Sequence, residues 1–220
     1  MRQANKLVPM RRRFSVLALA GMLSMSLAMP AWAQREHEQK APGQEWIGPP
    51  SDLPRAGHGD HHYNLDTLFD ALKIAPDDQS AKAIENRIWA IWTFSSSDTC
   101  NLLMSRVKVA IDAKNYDLAI KLLDAIITIK PDYTEAWNRR ATVYYYKDDL
   151  AHSLADISQV LAREPRHFGA LSGLGLILQD IGDDKDSLDA YRKALAIDPH
   201  LEHIPDVVKT LTEKVEGRDI

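Results

Sequence analysis

Three prolines set the terms for this chain. Pro131, Pro165 and Pro199 stand 34 residues apart, and each closes a run of the same form: Ile129-Lys130-Pro131, Arg163-Glu164-Pro165, Ile197-Asp198-Pro199. Other columns match at the same offset. Leu103, Trp137 and Leu171 align, as do Ala119, Ser153 and Ser187, and Leu123, Ile157 and Tyr191. A fixed period of this length, with helical spacing inside it, predicts a stacked array of helix-turn-helix units. Proline lacks an N–H and clashes with the preceding turn, so each one stops a second helix on schedule.

The chemistry inside the columns agrees. Small residues are expected where the first helix of a unit crosses the second: Ala141 with Ser153, and Gly175 with Ser187. Bulky residues fill the space between units: Trp137, Tyr144 and Ile157 in the second, Leu171, Leu178 and Tyr191 in the third. The pattern resembles the tetratricopeptide repeat, a pair of antiparallel helices. Repeat one is 100–133, repeat two 134–167 and repeat three 168–201. The resemblance implies an all-α fold, a right-handed solenoid of helix-turn-helix repeats. Repeat one is the loosest match, with Val107 where a small residue is usual and Ala110 in the aromatic column.

The flanks read as caps. Over 63–99, Leu65, Leu68, Phe69 and Leu72 form one stripe and Ala81, Ile84, Ile88, Ile91 and Trp92 a second. This degenerate helical pair is expected to cover the leading end of the stack, as terminal repeats must. Over 202–220, Ile204, Val207, Val208, Leu211 and Val215 share one face of a capping helix.

Residues 1–33 read as an address. Lys6 and Arg11 to Arg13 precede an apolar run from Phe14 to Met29, and Ala31-Trp32-Ala33 supplies a small-x-small cleavage pattern. That order predicts a secretory signal cleaved after Ala33, export to the periplasm and no stable membrane insertion of the mature chain. Sec export is favoured over the twin-arginine route. The formal charge is −4; without the five basic residues of the leader, 22 basic face 31 acidic residues, about −9. An acidic chain argues against nucleic acid as partner, which needs clustered Lys and Arg. Residues 34–62 carry proline, glycine and histidine without periodicity and read as a flexible arm, with Trp46-Ile47 as a short docking point. His58, Asp60, His61 and His62 within it invite metal binding, but a solvated polar tract is the expected state, so no metal site is assigned.

No catalytic constellation or cofactor motif is found. Gly169, Gly173 and Gly175 lie within a repeat helix rather than after a strand, and Cys100, the single cysteine, has no accompanying histidine. One pair is expected to be structural. Arg140 and Asp156 stand where repeat three has Leu174 and Ala190, which points to an ion pair between the helices of repeat two. Removing Asp156 from a partly buried pair is expected to cost roughly 3–5 kcal/mol. Arg106 shares the column but faces Leu122.

The family resemblance places a partner-binding groove on the first helices. Its columns hold Asn101, Met104, Lys108, Ile111 and Asp112 in repeat one, and Glu135, Asn138, Thr142, Tyr145 and Tyr146 in repeat two. Repeat three supplies Ser172, Leu176, Gln179 and Asp180. The basic clamp that grips C-terminal carboxylate tails in some relatives is not matched, since its columns hold Met104, Lys108, Arg139, Gly169 and Gly173. The segments 138–144, 166–171 and 217–220 resemble small periplasmic tetratricopeptide proteins of alpha-proteobacteria. This implies an adaptor for a protein or peptide partner in envelope assembly or integrity. Docking of a maturation or secretion complex through the arm, and metal or small-ligand binding by the histidines, are the alternatives. The oligomeric state is not specified.

Overall fold

The computed structural model describes residues 45–50 and 65–217. The leader, most of the arm with its histidines, and 218–220 lie outside the described residues. Among the described residues the structure is all-α. The helices are α1 (Leu65–Lys73), α2 (Asp78–Thr93), α3 (Asp98–Asp112), α4 (Tyr116–Ile129), α5 (Thr134–Tyr146), α6 (Leu150–Arg163), α7 (Phe168–Asp180), α8 (Asp184–Ile197) and α9 (Ile204–Val215). Helices α3–α4, α5–α6 and α7–α8 are the three repeats, and each packs on the next.

The period fixes both ends of every second helix. Asn115, Asp149 and Asp183 cap α4, α6 and α8, each accepting the N–H three residues on. One residue before each cap, Lys114, Asp148 and Gly182 take left-handed backbone, with φ of 54°, 61° and 86°. Within a repeat, Ser153 Oγ donates to the Ala141 carbonyl at 2.8 Å and Ser187 Oγ to the Gly175 carbonyl at 2.7 Å. The small column thus carries a hydrogen bond between helices as well as a close approach. At Gly175 an added Cβ would lie 2.9 Å from the Tyr191 ring, so the bare backbone is what lets the ring lie flat there.

Arg140 grips Asp156 in a two-pronged bridge, Nε to Oδ2 and Nη2 to Oδ1, both 2.8 Å. Its third arm reaches Asp124 of the preceding helix at 2.6 Å. The guanidinium therefore ties α5 to its own repeat and to repeat one. Cys100 is buried and free.

The leading pair departs from expectation. Helices α1 and α2 do not serve as the cover of α3; they fold across the array to repeats two and three. Leu68, Phe69 and Leu72 share a core with Leu188, Tyr191, Leu201, Ile204 and Leu211. Arg166 donates to Asp66 at 2.6 Å and lies 4.3 Å from the Phe69 ring centre, His200 meets Asp78 at 2.8 Å, and Tyr133 Oη donates to the Thr93 carbonyl at 2.6 Å. Aromatic contacts hold the pair there: Trp89 and Trp92 pack on His167 and Phe168, with ring centres 4.1–5.4 Å apart.

Candidate functional site

The first helices α5 and α7 form the inner face where the groove columns fall, and this face is already covered by the chain itself. Two glycines make the cover possible. Gly169 and Gly173 occupy columns that repeat two fills with Glu135 and Arg139. A Cβ on Gly169 would come within 2.8 Å of the Trp89 ring, and one on Gly173 within 2.6 Å of the Trp46 ring. Each glycine is the floor of an indole seat.

Trp46 arrives on the segment 45–50, which has no helix or strand of its own. It is 5% exposed, shares a core with Ala141, Ile157, Leu176 and Ile177, and its ring centre lies 5.7 Å from that of Tyr145. The Ile47 carbonyl would lie 2.9 Å from a Cβ on Gly169, so the strap runs from the Gly173 seat toward Trp89. Tyr145 donates to Asp180 at 2.8 Å, which joins repeats two and three behind the indole. Burial first, and then the Asp180 carboxylate, push the Tyr145 hydroxyl above the usual phenol range.

Beneath α2 lies a buried polar cluster. Glu135 receives Arg139 Nε at 2.8 Å and Asn138 Nδ2 at 3.0 Å, and His167 Nε2 stands 3.5 Å away. His167 Nδ1 accepts the Ala170 N–H at 3.1 Å, which leaves Nε2 to carry the proton toward Glu135. The imidazole stacks on Trp92, with centres 4.1 Å apart and planes 8° from parallel. Burial raises the Glu135 carboxyl, but His167, Arg139 and Asn138 together outweigh it and hold the group below its ordinary value.

The groove residues expected from the repeat columns therefore divide. Glu135, Asn138, Ser172 and Tyr145 are buried and make contacts within the chain. Asn101 also turns inward, accepting from Ser95 Oγ at 2.6 Å. Met104, Thr142 and Gln179 are half-buried, while Lys108, Asp112, Tyr146 and Asp180 are exposed. Lys108 and Asp112 pair at 2.7 Å, and Tyr146 lies between Tyr116 and Tyr145, at 5.8 Å and 6.2 Å. The open part of the face is thus α3 and the edge at Tyr146. The sequence places Trp89 beside the α2 stripe, facing a neighbouring element, but sequence reasoning missed His167 and the two glycine seats. Their signal was present: two inner-face columns without side chains, and tryptophans outside the repeat pattern.

Among the described residues no group of three or more His, Cys, Asp and Glu side chains could hold a metal ion, and no helix is long and apolar enough to cross a membrane. The expected cluster of His58, Asp60, His61 and His62 lies outside the described residues.

Paired antiparallel helices with this column chemistry define a helical-repeat scaffold, and comparison with known proteins gives the family. The tetratricopeptide repeat model matches residues 138–202. A TPR repeat-containing protein of Rhizobium etli is 43% identical over 153 residues, covering 70% of this chain and 75% of its own. The chain belongs to the tetratricopeptide repeat proteins, whose arrays are scaffolds for protein–protein interaction. Among solved structures, the first TPR of Spaghetti (RPAP3) bound to an HSP90 peptide superposes with a TM-score of 0.52 at 16% identity, over 55% of this chain and 95% of its own. The Sgt2 TPR domain of Aspergillus fumigatus gives 0.51 at 24%, over 55% and 81%. At these identities the likeness is one of fold.

Proposed function

We propose that this chain is an exported, non-enzymatic adaptor of the bacterial envelope that holds a protein partner on the inner face of its repeats. The observation that carries the reading is the seat of Trp46. An extended segment lies against α5 and α7 with its indole on Gly173 and beside Tyr145. A face that takes an aromatic anchor from an unstructured strap suits an extended partner segment presenting the same group, since rigid aromatics give large contact area at low entropic cost. The strap then acts as the resident occupant, and a partner enters at Tyr146 and displaces it. Export rests on the leader pattern of Arg11 to Arg13, the apolar run and Ala31-Trp32-Ala33.

In-cell photocrosslinking tests this. A benzoylphenylalanine at Tyr146 is expected to give protein adducts in the periplasmic fraction that the same group at Lys193, on the outer face of α8, does not. Identical adducts at both positions, or adducts only in the cytoplasmic fraction, would contradict the reading.

A further inference from the structure

The relocation of α1 and α2 leaves the leading face of α3 bare, and the repeat period says what such a face is for. Leu102 and Val109 stand in the same columns as Ala136 and Val143 of α5 and Ala170 and Ile177 of α7. In repeats two and three all four of those residues are 0% exposed, whereas Leu102 is 59% and Val109 67% exposed. The cover is the second helix of the preceding repeat: Ala136 and Val143 share a core with Leu123 and Ile126 of α4, and Ile177 shares one with Ile157 of α6. Leu102, Arg106 and Val109 fall at i, i+4 and i+7, on one stripe.

Arg106 adds a charge to the same stripe. Its counterpart Arg140 takes one carboxylate from its own repeat, Asp156, and one from the preceding helix, Asp124 at 2.6 Å. Arg106 has neither. Leu122 replaces the carboxylate of its own repeat, and the position of Asp124 falls one period earlier on Ala90, in α2, which packs elsewhere. Arg106 is exposed and makes no ion pair among the described residues.

We propose that the leading face of repeat one is a docking site for an amphipathic helix of a partner protein. That helix takes the place of a preceding second helix, lays an apolar stripe over Leu102 and Val109, and presents a carboxylate to Arg106. The occupant is specified by continuity with the stacking interface between repeats and by the uncompensated guanidinium. The site is separate from the inner face and does not depend on what binds there.

The probe is a helix-stabilised synthetic peptide of residues 115–130, the helix that covers the equivalent face of repeat two, tested against the full chain by fluorescence anisotropy. Saturable binding is expected. Val109→Asp, an exposed position whose change leaves the fold intact, should weaken it at least about tenfold by burying a charge. Arg106→Leu, and separately Asp124→Asn in the peptide, should each weaken it about fivefold, and the two together no more than either alone. No saturable binding overturns the proposal, as does binding indifferent to Val109→Asp, which would mean that the peptide replaces α4 instead. Sedimentation of the wild type as a dimer and of Val109→Asp as a monomer also overturns it, because a second copy then covers the face.

Discussion

Trp46 stands over Gly173 so closely that a methyl group on the glycine would come within 2.6 Å of the indole. One residue supplies the bulk and the other the room, and neither fits alone. Trp46→Ala should lower stability by about 2 kcal/mol, below the range for a core tryptophan because its strap can detach and resolvate. Gly173→Ala should cost a similar amount by expelling the same ring. The double variant should cost no more than either single one, since both remove one contact. Denaturant titration of the four proteins completes the cycle; additive losses would show that the two residues act separately.

The Arg140–Asp156 bridge is half-buried, with Asp156 4% exposed, and Arg140 keeps Asp124 when Asp156 is lost. That second partner lowers the cost of Asp156→Ala from the 3–5 kcal/mol expected of an isolated buried pair to about 2–3 kcal/mol. Repeat three fills the same columns with Leu174 and Ala190. Arg140→Leu with Asp156→Ala should therefore recover most of the loss, as replacing both partners of a buried pair does. Thermal melts of the single and double variants decide this, and a double variant less stable than Asp156→Ala would refute it.

Asp198, at the end of α8, is fully buried, and its carboxyl is pushed up to about 7, first by burial and then by Glu85 of α2. Its Oδ1 accepts the His200 N–H at 3.0 Å, while the buried Oδ2 has no hydrogen-bond partner among the described residues. The folded state keeps a proton here that the unfolded chain releases near pH 4, so folding takes up a proton between the two values. Stability from this pair is fully present below about pH 4, falls as pH rises toward 7, and is then constant. Asp198→Asn keeps an acceptor for His200 and adds a donor toward Glu85. Its stability should fall less between pH 5 and pH 8 than that of the wild type. Glu135 acts in the opposite sense: its lowered carboxyl contributes stability above about pH 4.5 that is lost as pH falls through its folded value. Melting temperatures at pH 3, 5 and 8 separate the two groups.

The turns between paired helices place Lys114 and Gly182 in one column with left-handed backbone, φ 54° and 86°. Glycine is at ease there and lysine is not. Lys114→Gly should raise stability by about 1 kcal/mol, and Gly182→Ala should lower it by about 1 kcal/mol. Chemical denaturation reads both, and a loss on Lys114→Gly would contradict the account of the turn.

Much of this was legible because the repeat gives each column one physical task. Pro131, Pro165 and Pro199 end helices, Ala141 crosses Ser153 and Gly175 crosses Ser187, and Arg140 faces Asp156, all readable from spacing, whereas the serine hydroxyl bonds across those crossings were not. The site was less legible. The stripe of Ala81, Ile88 and Trp92 says that α2 is amphipathic but not where it lands, because docking depends on a gap elsewhere in the sequence. That gap is Gly169 and Gly173, read as helix packing rather than as seats. The groove columns were assigned to the first helices by resemblance alone, which carries no information on burial; Glu135, Asn138 and Tyr145 are buried, Tyr145 beside Trp46.

The central claim is that the inner face is occupied by the chain's own tryptophan. It is tested most directly by ¹⁹F NMR of the protein labelled with 5-fluorotryptophan, with Trp46 assigned through Trp46→Phe. The account predicts that the Trp46 resonance shows almost no H₂O/D₂O isotope shift in the wild type and a full solvent shift in Gly173→Ala, while the Trp89 and Trp92 resonances stay protected. A Trp46 resonance with a full solvent shift in the wild type would contradict it.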